Sequence, residues 1–385
     1  MRKILYLVVA SLFGATFIAP VSAAERSDAT YYSGWTTLWD TGFGPSSAPA
    51  YAYIGGGVQF LTLPDIKFTG KDNLNDGFRR QTNSSGDWLD VGGALDFGFQ
   101  HPFGWWGEHR VIVRVNGFWS NVEVDDTTKC TSTTTTFCGA FDPTGEFFVT
   151  PAFQIGGPDP TLRTKTDRDT DYWGSQASVI VGDVRPNKVK PNVYRNDYLI
   201  AGFDIRGIDQ DNRLRGHDQG GTLFKYDETL DTTYYGGFIG FGGEYSFGFI
   251  PGLKTVGGFY DRLGIRTFIT VKGGLYDAQT DYHGRFWSAP GTTNLFESDD
   301  ELAFIGTVSL EARKQVGRRT SVSLWTDYEY ISSVPQMHYA NADRPTRIDE
   351  DDIFASRTTL RLNIGLGPDQ LYETTRFIPG TSPRY

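Results

Sequence analysis

The sequence predicts an all-β chain closed into an antiparallel transmembrane β-barrel of about ten strands, twelve being the alternative count. Three observations carry that prediction. Apolar residues recur with a period of two over segments longer than soluble sheets use. The connections between these segments alternate short and long. The composition is rich in glycine (46 residues) and aromatics (15%), yet the mean hydropathy is -0.36, too polar for bilayer-spanning helices. Only every second residue of a barrel strand meets lipid, so a barrel remains open to a chain this polar.

The N-terminus reads as an export signal. Arg2 and Lys3 precede an almost unbroken apolar run from Ile4 to Ile18, Pro20 breaks it, and Val21-Ser22-Ala23 offers small residues for cleavage. Residues 1–23 are assigned to a signal peptide cleaved after Ala23. Residues 24–50, broken by Gly42, Gly44, Pro45 and Pro49, are an irregular leader.

The barrel is expected over 51–366. In 265–275, Ile265, Ile269, Val271 and Leu275 share one face while Arg266, Thr270 and Lys272 share the other, the alternation of a strand. The same pattern sets Val111, Val113, Val115 and Trp119 against Arg114 and Asn116, and Leu360, Leu362 and Ile364 against Arg361 and Asn363. Ten strands follow, at about 51–61, 87–99, 109–124, 171–183, 194–206, 232–249, 263–281, 300–315, 320–334 and 352–366. Connections after even strands are short. Those after odd strands are expected as long loops: 62–86, 125–170, 207–231, 282–299 and 335–351. Short turns on one side, long loops on the other and an even count form one consistent topology.

The net charge of -10 and pI near 5.0, with no basic run, exclude nucleic acid as a partner. Acidic loops are candidates for divalent cations, whereas the acidic run Asp349-Glu350-Asp351-Asp352 reads as a solvated loop. Asp167-x-Asp169-x-Asp171 lacks the glycine and the closing glutamate of an EF-hand, so no metal ligand set is assigned, and no cofactor. Cys130 and Cys138 flank a Ser/Thr run and are expected to form a disulfide that pins a loop tip.

With signal, alternation and parity together, the chain resembles the Gram-negative outer-membrane β-barrel class over the signal and about 51–366. The resemblance implies the cell outer membrane as location, with lipid, lipopolysaccharide and the barrel-assembly machinery as partners. Aromatics at Phe103, Trp105, Trp106, Tyr245, Trp119, Trp173, Tyr328 and Tyr330 fall where interfacial girdles are expected. One departure stands out. Many members end on an aromatic-terminated last strand, whereas residues 367–385 carry Pro368, Pro379 and Pro383 and read as a periplasmic tail.

If the apolar faces meet lipid, the lumen is lined by Asp90, Asp96, Arg114, Asn116, Glu244, Arg266, Lys272, Glu311, Arg313, Asp327, Glu329, Arg357 and Arg361, joined by Gln100, Asp204 and Arg206. Such a lumen suits a small diffusion pore for small polar solutes. The alternative is a barrel plugged by paired charges that presents its loops for adhesion or envelope integrity. Lumen glycines (Gly236, Gly240, Gly242, Gly248) either open space or let bulky neighbours pack. A minor alternative is a rim hydrolase, protease or lipid hydrolase, drawing on His217, His283, His338, Ser288 and nearby aspartates; no catalytic set is assigned.

Overall fold

In the computed structural model the described residues are 50–366 apart from 74–76, 84–89, 107–108, 134–135, 142, 144–146, 150–160, 183–186, 191–192, 219–220, 246–264, 289–290, 318 and 341–345. The expected signal peptide, nearly all of the leader and the expected tail lie outside them.

Residues rich in Val, Ile, Thr and aromatics, alternating with polar ones, form strands throughout. In chain order these are β1 (Tyr51–Leu61), β2 (Thr69–Asn73), β3 (Gly77–Arg80), β4 (Asp90–Trp106), β5 (His109–Thr131), β6 (Thr136–Phe141), β7 (Phe147–Val149) and β8 (Thr161–Gly182). They continue with β9 (Asn187–Lys190), β10 (Val193–Asp218), β11 (Gly221–Tyr245), β12 (Ile265–Ser288), β13 (Gly291–Gln315), β14 (Thr320–His338) and β15 (Arg347–Gly365).

Ten of them close a ring in the order β11-β12-β13-β14-β15-β1-β4-β5-β8-β10, with β10 pairing back to β11. Every ladder is antiparallel, and the chain's last barrel strand meets its first from Tyr51↔Gly365 to Leu61↔Ala355. Closure matters because an open sheet edge in hydrocarbon would leave backbone donors and acceptors unsatisfied. β9 adds a short pairing to the start of β10.

The strands overrun their expected outer ends. β10 reaches Asp218 and β11 starts at Gly221, so every described residue of the expected loop 207–231 is strand, as is every described residue of 282–299. Likewise β5 runs on to Thr131 and β8 begins at Thr161, inside the expected loop 125–170. The physical reason is an inverted pattern. At membrane level apolar side chains point out, whereas above it Ile208, Leu214, Tyr226 and Leu230 are buried inside and Asp211 and Asp227 are exposed outside. Alternation persists, but its sign reverses. Gly221 closes the β10–β11 tip at φ +135°, a conformation suited to glycine.

The remaining connections fold into the mouth. A second sheet, in the order β3-β2-β6-β7, joins the segment after β1 to the segment after β5. Buried Asn83 shapes the first: its Oδ1 accepts from the backbone N–H of Phe68 and of Thr69, each at 2.8 Å. The Cys130–Cys138 disulfide ties β5 to β6. A cross-link spanning 8 positions contributes roughly 2–3 kcal/mol by restricting the unfolded chain. Cys130→Ser with Cys138→Ser is therefore expected to expose 132–137 to protease while leaving the heat-modifiable gel mobility of the barrel unchanged. Proteolysis with mass-spectrometric mapping checks this; a barrel that no longer folds would refute the local role.

Candidate functional site

The lumen is built in stacked layers. At membrane level the inward side chains of the strands meet as a charged network. Arg206 donates from Nε to Asp204 (2.7 Å) and from Nη1 to Glu329 and to the Tyr172 hydroxyl (2.8 Å each). Tyr172 in turn donates to Glu329 (2.7 Å), and Tyr276 donates to Asp204 (3.2 Å). Arg357 bonds Asp327 at 2.5 Å, and Arg313 bonds Glu311 at 2.7 Å. Arg361 pairs with Asp96 and lies between the Trp325 and Tyr53 rings, 3.9 and 4.5 Å from their centroids. Arg114 donates to Gln100 at 2.9 Å, and Lys272 to Gln176 at 3.3 Å. Buried charges are costly unless partnered. The Arg206–Glu329 pair reaches across the ring from β10 to β14, while the other ion pairs join residues of the same strand or of near neighbours.

The cavity left among these groups is about 40 Å³, room for a few water molecules. The glycines add little space. A Cβ on Gly236 would meet the Tyr276 ring at 2.4 Å, and one on Gly242 the Tyr198 ring at 2.8 Å, so bulky neighbours already occupy the room they leave. Gly248 lies outside the described residues.

An apolar layer sits above the network. Leu61, Phe118, Ile208, Tyr234, Ile305 and Ile331 belong to it. At the mouth, the segment between β1 and β2 inserts Phe68, whose ring lies 5.0–5.3 Å from those of Tyr339, Phe224 and Tyr226. Arg80 clamps this segment by donating to the carbonyls of Tyr339 and Ala340 at 2.6 Å and of Lys67 at 2.7 Å. Beside the plug lies buried Glu228, well above the lipid-facing rows. Its carboxyl accepts from Tyr339 (2.6 Å), Asn212 (3.1 Å) and Tyr282 (3.3 Å). Burial pushes it up to about 7, against the pull of these donors and of Arg168.

The sequence-assigned residues fall as follows. Asp90, Asp96, Glu244, Glu311, Arg313, Asp327, Glu329, Arg357 and Arg361 are buried and face inward, and Arg114, Asn116 and Lys272 are half-buried against the cavity. Arg266 stands on β12, but its side chain is outside the described residues, as are those of Phe103, Trp105, Trp106 and Tyr245. Sequence reasoning missed Arg168, Gln210, Glu228 and Phe68. They belong to strand extensions and connections read as loops.

The hydrolase candidates do not assemble. His283 and Ser288 lie an odd number of positions apart on β12 and so project to opposite faces. His283 stacks on Phe296, with centroids 4.6 Å apart, and His217 bonds Thr222 at 3.2 Å. His338 faces Asp349 at 3.6 Å, both about half exposed.

The outside decides the class. Ile54, Leu199, Phe203, Ile239, Leu302 and Leu360 are 60–77% exposed, and they sit on strands all round the ring. A closed sheet wrapped in such side chains is stable only with hydrocarbon around it. The chain is a membrane-spanning β-barrel. Above the apolar belt the outer wall of this barrel turns acidic at Asp171, Asp209, Asp231 and Asp281, consecutive cross-strand neighbours on β8, β10, β11 and β12.

No family model matches the chain, and no curated protein matches its sequence. Among solved structures it is similar to the outer membrane protease OmpT from Escherichia coli (9% identity, 83% of this chain and 98% of that one, TM-score 0.40). It is also similar to the toluene transporter TbuX of Ralstonia pickettii (7%, covering 83% and 90%, TM-score 0.24) and to a FadL homologue of Pseudomonas aeruginosa (8%, covering 83% and 91%, TM-score 0.21). These neighbours include a protease and transporters, and likeness at this level transfers neither activity to the present barrel.

Proposed function

We propose that this protein is a non-conducting outer-membrane barrel that presents its long outer hairpins at the cell surface, in adhesion or envelope integrity. The observation that supports the reading is how the lumen is filled: a paired-charge layer, an apolar layer and a plug, with a membrane-level cavity of about 40 Å³. A diffusion pore for small polar solutes would need a continuous wet path, and each layer opposes one. The hairpins supply the surface. Past Ile205, its last outward apolar residue, β10 runs on for 13 residues to Asp218, roughly 40 Å of extended chain at ~3.3 Å per residue. Outer-membrane lipid and lipopolysaccharide would contact the belt and the acidic rows above it, and the barrel-assembly machinery would insert the strands.

Planar-bilayer recording of the purified full chain tests this. No discrete conductance steps are expected at neutral pH, and liposomes carrying the protein should not swell in small sugars. Reproducible single-channel steps would reject the proposal in favour of the pore.

A further inference from the structure

The β13–β14 ladder stops early. It runs from Gln315↔Ser321 up to Ile305↔Ile331 and no further, while β13 continues to Gly291 paired only with β12. The Ser332 hydroxyl oxygen accepts the Phe304 N–H at 2.8 Å and caps the last rung. β14 shifts register between Ile331 and Val334 and then carries Pro335, which has no N–H to donate. Above that point the barrel wall has an open seam between the β12–β13 hairpin and the β14–β15 hairpin.

Three carboxylates converge on that seam. Asp299 and Glu301 come from β13 and Glu350 from β15, and their oxygens lie within 4.8 Å of one another. No ion pair to any of the three occurs among the described residues. Like charges this close repel, and the arrangement is uneconomical unless something positive sits between them. A second observation points the same way. Ser333 is 2% exposed, and its buried hydroxyl lies beside Glu350 without a well-formed hydrogen bond to any group.

We infer that Asp299, Glu301 and Glu350, with the Ser333 hydroxyl, hold a divalent cation of the calcium class that staples the two hairpins across the open seam. All donors are oxygen, as hard cations require. Oxygens within 4.8 Å of one another can share one ion, and the irregular set of ligands from three strands suits the flexible shell of calcium better than the octahedral cage that magnesium demands. The sequence could not announce the site, because its ligands lie on different strands with β14 between them.

The full chain, refolded in detergent and stripped with EDTA, is titrated with calcium chloride while binding heat and the thermal midpoint are followed. Wild type is expected to bind one ion with a Kd of about 10⁻⁴–10⁻³ M and to gain thermal stability on saturation. Glu301→Gln with Glu350→Gln should weaken binding at least tenfold and abolish the shift. In EDTA the same variant should match or exceed wild type, because repulsion is relieved, so the order of stability reverses with the ion. Asp167→Asn with Asp169→Asn, on the far acidic wall, should leave binding intact. Absence of binding in wild type, undiminished binding in the seam variant, or loss only in the far-wall variant would each overturn the inference; equal affinity for magnesium would overturn the calcium assignment.

Discussion

Arg206→Ala is expected to lower the unfolding free energy of the barrel by about 3–5 kcal/mol, the usual cost of removing one partner of a buried ion pair. Arg206 is 2% exposed, and its loss strands Asp204 and Glu329, both buried. Lys272 and Arg357 are near enough to recover part of the charge balance but do not replace the two bonds. Adding Glu329→Gln to the variant should restore some stability, since one stranded charge disappears. Urea titration in detergent micelles measures both. The size of the effect also bears on function. An exposed pair contributes only about 0.2–1 kcal/mol, so a loss in that range would mean that water fills the network and the lumen is wet.

The second large effect lies at the plug. A carboxylic acid whose folded-state value is raised binds its proton more tightly when folded. Its stabilising contribution is complete below the unfolded value and is lost as pH rises through the folded one. For Glu228 that window runs from the reference value of 4.5 to about 7. Wild type should therefore lose up to about 3 kcal/mol between pH 4.5 and 7, at 1.36 kcal/mol per pH unit, and change little above. Glu228→Gln keeps an acceptor for the Tyr339 hydroxyl and carries no charge, so it should be more stable than wild type at pH 8 and nearly equal at pH 5. Tyr226 and Tyr282, both raised by burial, and Arg168, lowered to about 10, keep their charge states across this range. Parallel pH profiles of the two proteins give the answer; profiles of identical shape would show that Glu228 is not the titrating group.

Much of the barrel was legible in the sequence because one rule governs its membrane-level half. In β1 the alternation of Ile54 and Val58 against Gln59 and Leu61 sets the face, and the expected bounds 51–61 coincide with the strand. Asp327 and Arg357, both assigned to the lumen from the alternation, meet there as cross-strand partners. The outer ends were not legible for a related reason. Reading outward-apolar as the mark of a strand works until Ile205, after which Asp209 and Asp211 point outward and Ile208 points inward. A rule that accepted either sign of alternation would have carried β10 to its tip. The long-range pairs were beyond any such rule. Arg206 and Glu329 are 123 positions apart and Arg361 and Asp96 are 265, so only ring closure brings them together.

The reversal of pattern along single continuous strands also fixes the molecule's height in the bilayer. Sliding outward by two residues would lift Phe203 and Ile239 towards water; sliding inward would draw Asp209, Asp231 and Asp281 towards hydrocarbon, and either displacement acts on several strands at once because they share hydrogen bonds. With no soft direction along the membrane normal, a thickness mismatch must be absorbed by lipid thinning or thickening around a rigid wall.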